Sequence, residues 1–225
     1  MSQNLLDTIE INTAEQCEFA VIWLHGLGAS GNDFEPIVGE LQLPESPGVR
    51  FVFPHAPIRP ITINGGASMR GWYDINSLDF GEREQDSAGI KDSAAHVNAL
   101  IEAEISNGIA PANILLAGFS QGGAIALYTG LTTSHTLCGI LALSTYLPIH
   151  DETLASLTEH AQKVPIFMTH GEFDDVINLH YAERSRDLML KHKLNVQWQQ
   201  YPMGHNVSQQ QIADIAAWMK SQFGM

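Results

Sequence analysis

The sequence predicts an α/β fold in one domain covering residues 1–225, a mostly parallel central sheet with helices on both faces. Three observations predict it. Short apolar runs rich in β-branched and aromatic residues recur along the chain, helical periodicity fills the gaps between them, and neither an internal repeat nor a low-complexity segment interrupts the alternation. Strands that alternate with helices pair in parallel through right-handed crossovers, which covers the sheet on both sides.

The apolar runs lie at 19–24, 49–53, 113–119, 138–144, 164–170 and 194–201, each short enough for a buried strand. The clearest helix spans 86–107, where Ile90, Ala94, Val97, Ile101 and Ile105 recur at spacings of three and four, and Gly108 and Pro111 end it. A second runs from about 207 to 223 with Ile212, Ile215, Ala216 and Met219 on one face, and either Asn206 or Ser208 caps its start. The stretch 54–84 fits neither period. It carries Pro57, Pro60, Gly65, Gly66, Gly71 and Gly81, but also too many apolar and aromatic residues for a disordered loop. It is expected to wall a binding site, with Met69, Trp72, Leu78 and Phe80 as substrate contacts; for Trp72 a plain core position accounts for the sequence equally well.

Composition narrows the function. Acidic residues outnumber basic ones 25 to 11, a formal charge of -14, which repels a phosphate backbone or an anionic lipid surface and argues against a nucleic-acid partner. Cys17 and Cys138 are too few for a disulfide framework. The first ten residues lack a basic region followed by an apolar run, and no stretch approaches the roughly 18 apolar residues of a membrane span, so a cytoplasmic chain without integral membrane association is expected. The ten histidines include no HExxH or similar pair, so no metal site is expected.

The chemistry concentrates in Gly118-Phe119-Ser120-Gln121-Gly122, a G-x-S-x-G segment after a predicted strand and before a helical run. Taken alone, the segment also fits a glycine-rich turn with an N-capping serine. A nucleophilic serine needs a base within hydrogen-bond reach and a carboxylate to orient that base, so the downstream residues decide. His170-Gly171-Glu172-Phe173-Asp174-Asp175 follows one strand, and Gly204-His205 lies between the last strand and the last helix. The expected roles are Ser120 as nucleophile, His205 as base and Asp174 as acid, with Asp175 an adjacent competitor that sequence cannot orient. An oxyanion requires two backbone N–H donors; Gln121, after the nucleophile, supplies one and Leu27, in His25-Gly26-Leu27-Gly28, the other.

These segments, together with Trp72-Tyr73-Asp74 and Ser144-Thr145-Tyr146-Leu147-Pro148, resemble the carboxylesterase/acyl-protein thioesterase (phospholipase/carboxylesterase) family of α/β-hydrolases almost end to end. The resemblance implies hydrolysis of carboxylic esters, of thioesters on acylated proteins, or of lysophospholipids, with no metal or organic cofactor. A small-lactone hydrolase is the alternative on the same scaffold, and the intact donor loops argue against a non-enzymatic binding protein. The resemblance also favours Asp174 over Asp175 as the acid, matches Leu27 and Gln121 to the oxyanion positions, and allows for a homodimer. Where the family commonly continues the acid loop into Val-Pro, this chain has Ile177-Asn178. The segment 144–164 is too short to build a cap domain, so an uncovered nucleophile is expected.

Overall fold

The computed structural model describes residues 5–77 and 85–225. In chain order the elements are β1 (Thr8–Asn12), β2 (Cys17–Leu24), α1 (Ile37–Leu41), β3 (Gly48–Pro54), β4 (Ile58–Ile61), β5 (Ala67–Arg70), α2 (Ser87–Ser106), β6 (Ile114–Phe119), α3 (Gln121–Thr132), β7 (Gly139–Leu143), α4 (His150–Ala155), β8 (Pro165–Gly171), α5 (Leu179–Lys191), β9 (Asn195–Tyr201) and α6 (Gln209–Phe223). The apolar runs that form β2, β3, β6, β7 and β8 become strands with both faces largely buried, whereas β9, at the edge, alternates exposed and half-buried residues before its buried end. Along β2, Ala20, Ile22 and Leu24 enter the core on one side of the sheet, while Val21 and Trp23 enter the core on the other. Ile114 and Leu116 of β6 join the first core, Leu115 and Ala117 the second. Side chains of α2, α3 and α5, such as Ile90, Ile125 and Met189, cover the first face; Ile37 of α1 and Met219 of α6 cover the second.

The seven-stranded sheet has the order β1-β3-β2-β6-β7-β8-β9. All neighbours pair in parallel except β1, which runs antiparallel to β3 at the edge. This α/β-hydrolase architecture matches the expectation from sequence, and the predicted strands differ from the observed ones by a residue or two at their ends. Two features escaped the periodicity. β1 alternates Ile9 and Ile11 with polar residues in a five-residue stretch at the edge, and the stretch 54–84 contains the antiparallel ribbon β4–β5. Helix starts follow their caps. The Asp86 carboxylate accepts from Gly89 N–H at 2.9 Å at the head of α2, and Ser208, rather than Asn206, caps α6 by accepting from Gln211 N–H at 3.2 Å.

β2 and β6 are neighbours, but the chain leaves β2 toward β3 on one side and leaves β6 toward β7 on the other. Their carboxyl ends therefore flank a crevice, the position where open α/β sheets bind ligands. Between β7 and β8 only the short α4 and a single turn are built, and no large cap covers this crevice among the described residues. No described helix is long and apolar enough to cross a membrane.

Candidate active site

β6 ends at the crevice in a sharp turn. Ser120 adopts φ 55° and ψ −122°, a conformation costing about 1–3 kcal/mol for a residue with a side chain. Packing imposes it: Ser120 N–H donates to Leu143 O at 2.8 Å, and Thr145 Oγ1 donates to Ser120 O at 2.7 Å. The flanking glycines have no room for a side chain, since a Cβ on Gly118 would stand 2.4 Å from the Gly122 backbone and one on Gly122 2.3 Å from Leu24 O. α3 can thus start directly against β2, with Ser120 Oγ facing the crevice and the first-turn N–H groups of α3, including that of Gln121, at its head.

The loop after β2 meets this turn from the other side of the crevice. Gly28, at φ 77°, donates its N–H to Arg70 O at 2.8 Å, which ties the loop to β5. His25 is fully buried beneath the loop, donating from Nδ1 to Gly26 O at 2.7 Å and accepting at Nε2 from Ala56 N–H at 3.0 Å. Burial lowers its pKa, and the accepting Nε2 requires the neutral ring. The Leu27 N–H donates to no protein atom among the described residues.

The loops after β8 and β9 bring the remaining groups. A Cβ on Gly171 would lie 2.4 Å from both Met203 O and Gly204 O, so the loops pack backbone to backbone, joined by Phe173 N–H to Met203 O at 3.0 Å. His205, with its ring centroid 4.8 Å from that of Phe119, places Nε2 2.9 Å from Ser120 Oγ and Nδ1 2.7 Å from Asp174 Oδ2. Because the carboxylate can only accept, Nδ1 carries the proton and Nε2 is left to accept from the serine hydroxyl. Asp174 Oδ1 accepts from Val176 N–H at 3.0 Å and Ile177 N–H at 2.8 Å. Burial opposes its charge, but the hydrogen bonds from His170, His205 and Ile177 N–H outweigh burial and hold the carboxyl well below the ordinary range. Asp175, one residue on, is exposed.

Two cavities meet at Ser120, and Leu27 and Val176 also border both. The larger, about 660 Å³, extends past Phe34, Ile37, Glu40, Asn206 and Gln209. The smaller, about 260 Å³, is bounded by Ile63, Tyr73, Ile75, Tyr146 and Ile177. The phenols of Tyr73 and Tyr146 share a hydrogen bond of 2.8 Å, and burial raises the pKa of both.

The structure therefore brings Ser120, Asp174, His205, Leu27 and Gln121 to one place. It corrects two of the expected substrate contacts. Trp72 is wholly buried; its indole Nε1–H donates to His25 O at 2.8 Å, its backbone N–H donates to the Gln121 Oε1 at 2.8 Å, and it faces neither cavity. Met69 sits on β5 beside Gly28 and borders neither cavity among the described residues. Leu78 and Phe80 lie outside the described residues. The residues that do bound the smaller cavity, Ile63, Ile75 and Ile177, are single apolar positions in loops, where no period marks them. The Gln121 side chain, which donates to Tyr73 O at 2.7 Å, was likewise missed as a site support; His170, a glycine-flanked histidine expected from sequence to anchor a loop by a hydrogen bond, does so through Ile177 O at 2.7 Å.

A serine on a glycine-packed strand-to-helix turn, at the switch point of a mostly parallel sheet, is the arrangement of the α/β-hydrolases. Comparison with known proteins narrows the class. The phospholipase/carboxylesterase family matches residues 8–222, and the chain belongs to that family of hydrolases. It is 35% identical over 230 residues to acyl-protein thioesterase 1 of Cryptococcus neoformans, covering 95% of this chain and 96% of that one. The crystal structure of SOBER1 from Arabidopsis thaliana superposes with a TM-score of 0.87 at 31% identity, over 91% of this chain and 99% of the other. That of acyl-protein thioesterase 2 from Zea mays gives 0.85 at 26% identity, over 97% and 100%.

Proposed function

We propose that this chain hydrolyses carboxylic esters and acyl thioesters through an acyl-enzyme on Ser120, with His205 as general base and Asp174 as its orienting acid. The observation that carries the reading is the unbroken hydrogen-bond chain from Ser120 Oγ through His205 to Asp174. As Oγ attacks the acyl carbon, His205 Nε2 takes the serine proton, and the ionised Asp174 stabilises the resulting imidazolium. The tetrahedral oxyanion is received by the N–H groups of Leu27 and Gln121. Collapse breaks the bond to the leaving alcohol or thiol, which departs with the proton from His205. Water then attacks the acyl-enzyme and gives a proton to His205; the bond from the acyl carbon to Ser120 Oγ breaks, His205 returns the proton to Oγ, and the carboxylic acid leaves.

The acyl chain occupies the smaller, apolar cavity and the carrier the larger one. A wide cavity with Glu40, Asn206 and Gln209 at its mouth, uncovered among the described residues, accepts a bulky leaving group that stays largely in water, which suits an acylated protein as well as a small ester. Free Cys17 and Cys138 accord with a reducing compartment such as the cytoplasm. The test is turnover of acyl esters and thioesters of graded chain length on small-alcohol, lysophospholipid and peptide-thiol carriers. The expected result is hydrolysis on both small and peptide carriers, with kcat/KM rising up to about fourfold per added methylene until the cavity is filled. Refusal of every peptide thioester while small esters turn over removes the thioesterase reading and leaves a small-molecule carboxylesterase.

A further inference from the structure

Next to the Asp174 carboxylate lies a second imidazole that the mechanism above does not use. His170, the last residue but one of β8, is wholly buried and has its Nε2 2.7 Å from Ile177 O and 3.3 Å from Asp174 Oδ2, the oxygen that also receives His205. A carbonyl can only accept, so Nε2 carries a proton. That N–H ties the end of β8 to Ile177, across the acid loop, and lies beside the carboxylate on the way. The other nitrogen, Nδ1, is buried without a protein partner among the described residues. A leucine or phenylalanine in the same space would avoid the unpaired Nδ1 but would take the donor away from Ile177 O, so the imidazole is retained for its Nε2–H rather than for packing alone.

Taking Asp174 as the acid, as proposed above, the geometry points to His170 as a positioning residue that closes the acid loop and tempers the carboxylate that holds His205. The neighbouring groups support this division. Asp174 Oδ1 is held independently by Val176 and Ile177 N–H, so loss of the His170 contact leaves the carboxylate in place but shares out less of its charge. Behind His170 is the Trp198 ring at 6.5 Å, and Arg186 sits 5.0 Å over the far indole. Glu172 and Asp175, the other acids of the loop, are exposed. On its remaining sides His205 meets Ser120 and the Phe119 ring. No other described charge is placed between Asp174 and the two imidazoles.

A carboxylate relieved of one donor attracts the imidazolium of His205 more strongly, and activity requires that imidazole neutral. The acid limb of the kcat/KM profile should therefore move to higher pH in His170→Phe, and turnover at the optimum should fall roughly tenfold as the loop loses its closing bond. His170→Gln, whose amide reaches the Nε2 position, should restore both the limb and most of the rate. His170→Asn, whose amide reaches only the Nδ1 position, should behave like the phenylalanine variant, and this polar pair decides the matter if His170→Phe does not fold. Asp174→Asn and Asp175→Asn run alongside. If Asp174→Asn costs no more than Asp175→Asn, the acid assignment itself fails. If Asp174→Asn abolishes turnover but the acid limb stays put, or moves to lower pH, in the variants lacking the Nε2 donor, or if glutamine fails to restore it, the role of His170 is overturned while the triad stands.

Discussion

The smaller cavity beside Ser120 holds about 260 Å³ between aliphatic residues and two paired tyrosines, whereas the larger holds about 660 Å³ and opens past Glu40, Asn206 and Gln209. An apolar chain entering the first would displace water, so under the proposed function each methylene would add binding free energy there. In the second, polar groups stay hydrated and bonded to each other, as Gln209 Nε2 is to Glu40 at 3.1 Å, and a leaving group gains little by exact fit. With the acyl chain and the carrier placed as proposed, the difference predicts where selectivity resides: the acyl side would discriminate by shape, the carrier side weakly by charge.

The largest effect comes from the atom common to both cavities. Ser120→Ala should retain the fold and lose on the order of 10⁴-fold or more in turnover of every substrate, leaving only what the N–H donors and binding supply. Labelling by a serine-directed fluorophosphonate should vanish with it. Turnover within about tenfold of the parent would remove Ser120 from the mechanism and the comparison with it.

A smaller effect separates the cavities. Ile63, partly exposed at the rim of the acyl side, can be enlarged without disturbing the carrier side. Ile63→Trp should lower kcat/KM roughly tenfold for acyl chains that fill the cavity and leave acetyl esters within about twofold, since only the longer chains lose buried methylenes. Equal losses at all lengths would mean that the acyl chain does not lie there.

The smallest effect should be electrostatic. Glu40 is exposed at the mouth of the larger cavity, and Glu40→Lys should shift preference from cationic toward anionic peptide carriers by about two- to threefold, an exposed-charge effect that moderate salt removes. The acyl-length profile should not change. A changed length profile with unchanged carrier preference would exchange the roles of the two cavities.

The framework of the site was legible because its residues obey local rules. Gly118 and Gly122 flank Ser120 since the backbone of Gly122 and the carbonyl of Leu24 leave no space for Cβ atoms, a constraint that any sequence making this turn must show. The central strands β2, β3, β6, β7 and β8 announced themselves by apolar runs, because both of their faces are largely buried, and the edge strand β9 by Val196 and Trp198 at alternate positions before Tyr201. β1 did not, since an edge strand with half-buried alternation is short and polar. Trp72 was ambiguous for a related reason: aromatic identity says that a side chain will be buried, not in what, and only the hydrogen bonds to His25 and Gln121 show it to be a brace behind the loop after β2.

Sequence by itself determined the α/β order of elements, the turn that carries Ser120, and the presence of an acid and a histidine on later strand ends, because periodicity and glycine requirements act between near neighbours in the chain. Tertiary structure alone decided which of two adjacent aspartates reaches His205, that Ile63 and Ile177, more than a hundred residues apart in sequence, bound one cavity, and that His170 lies against the acid. Those outcomes depend on where loops from separate strands come to rest on one another, and the direction of a loop side chain is set by that packing rather than by the residues beside it.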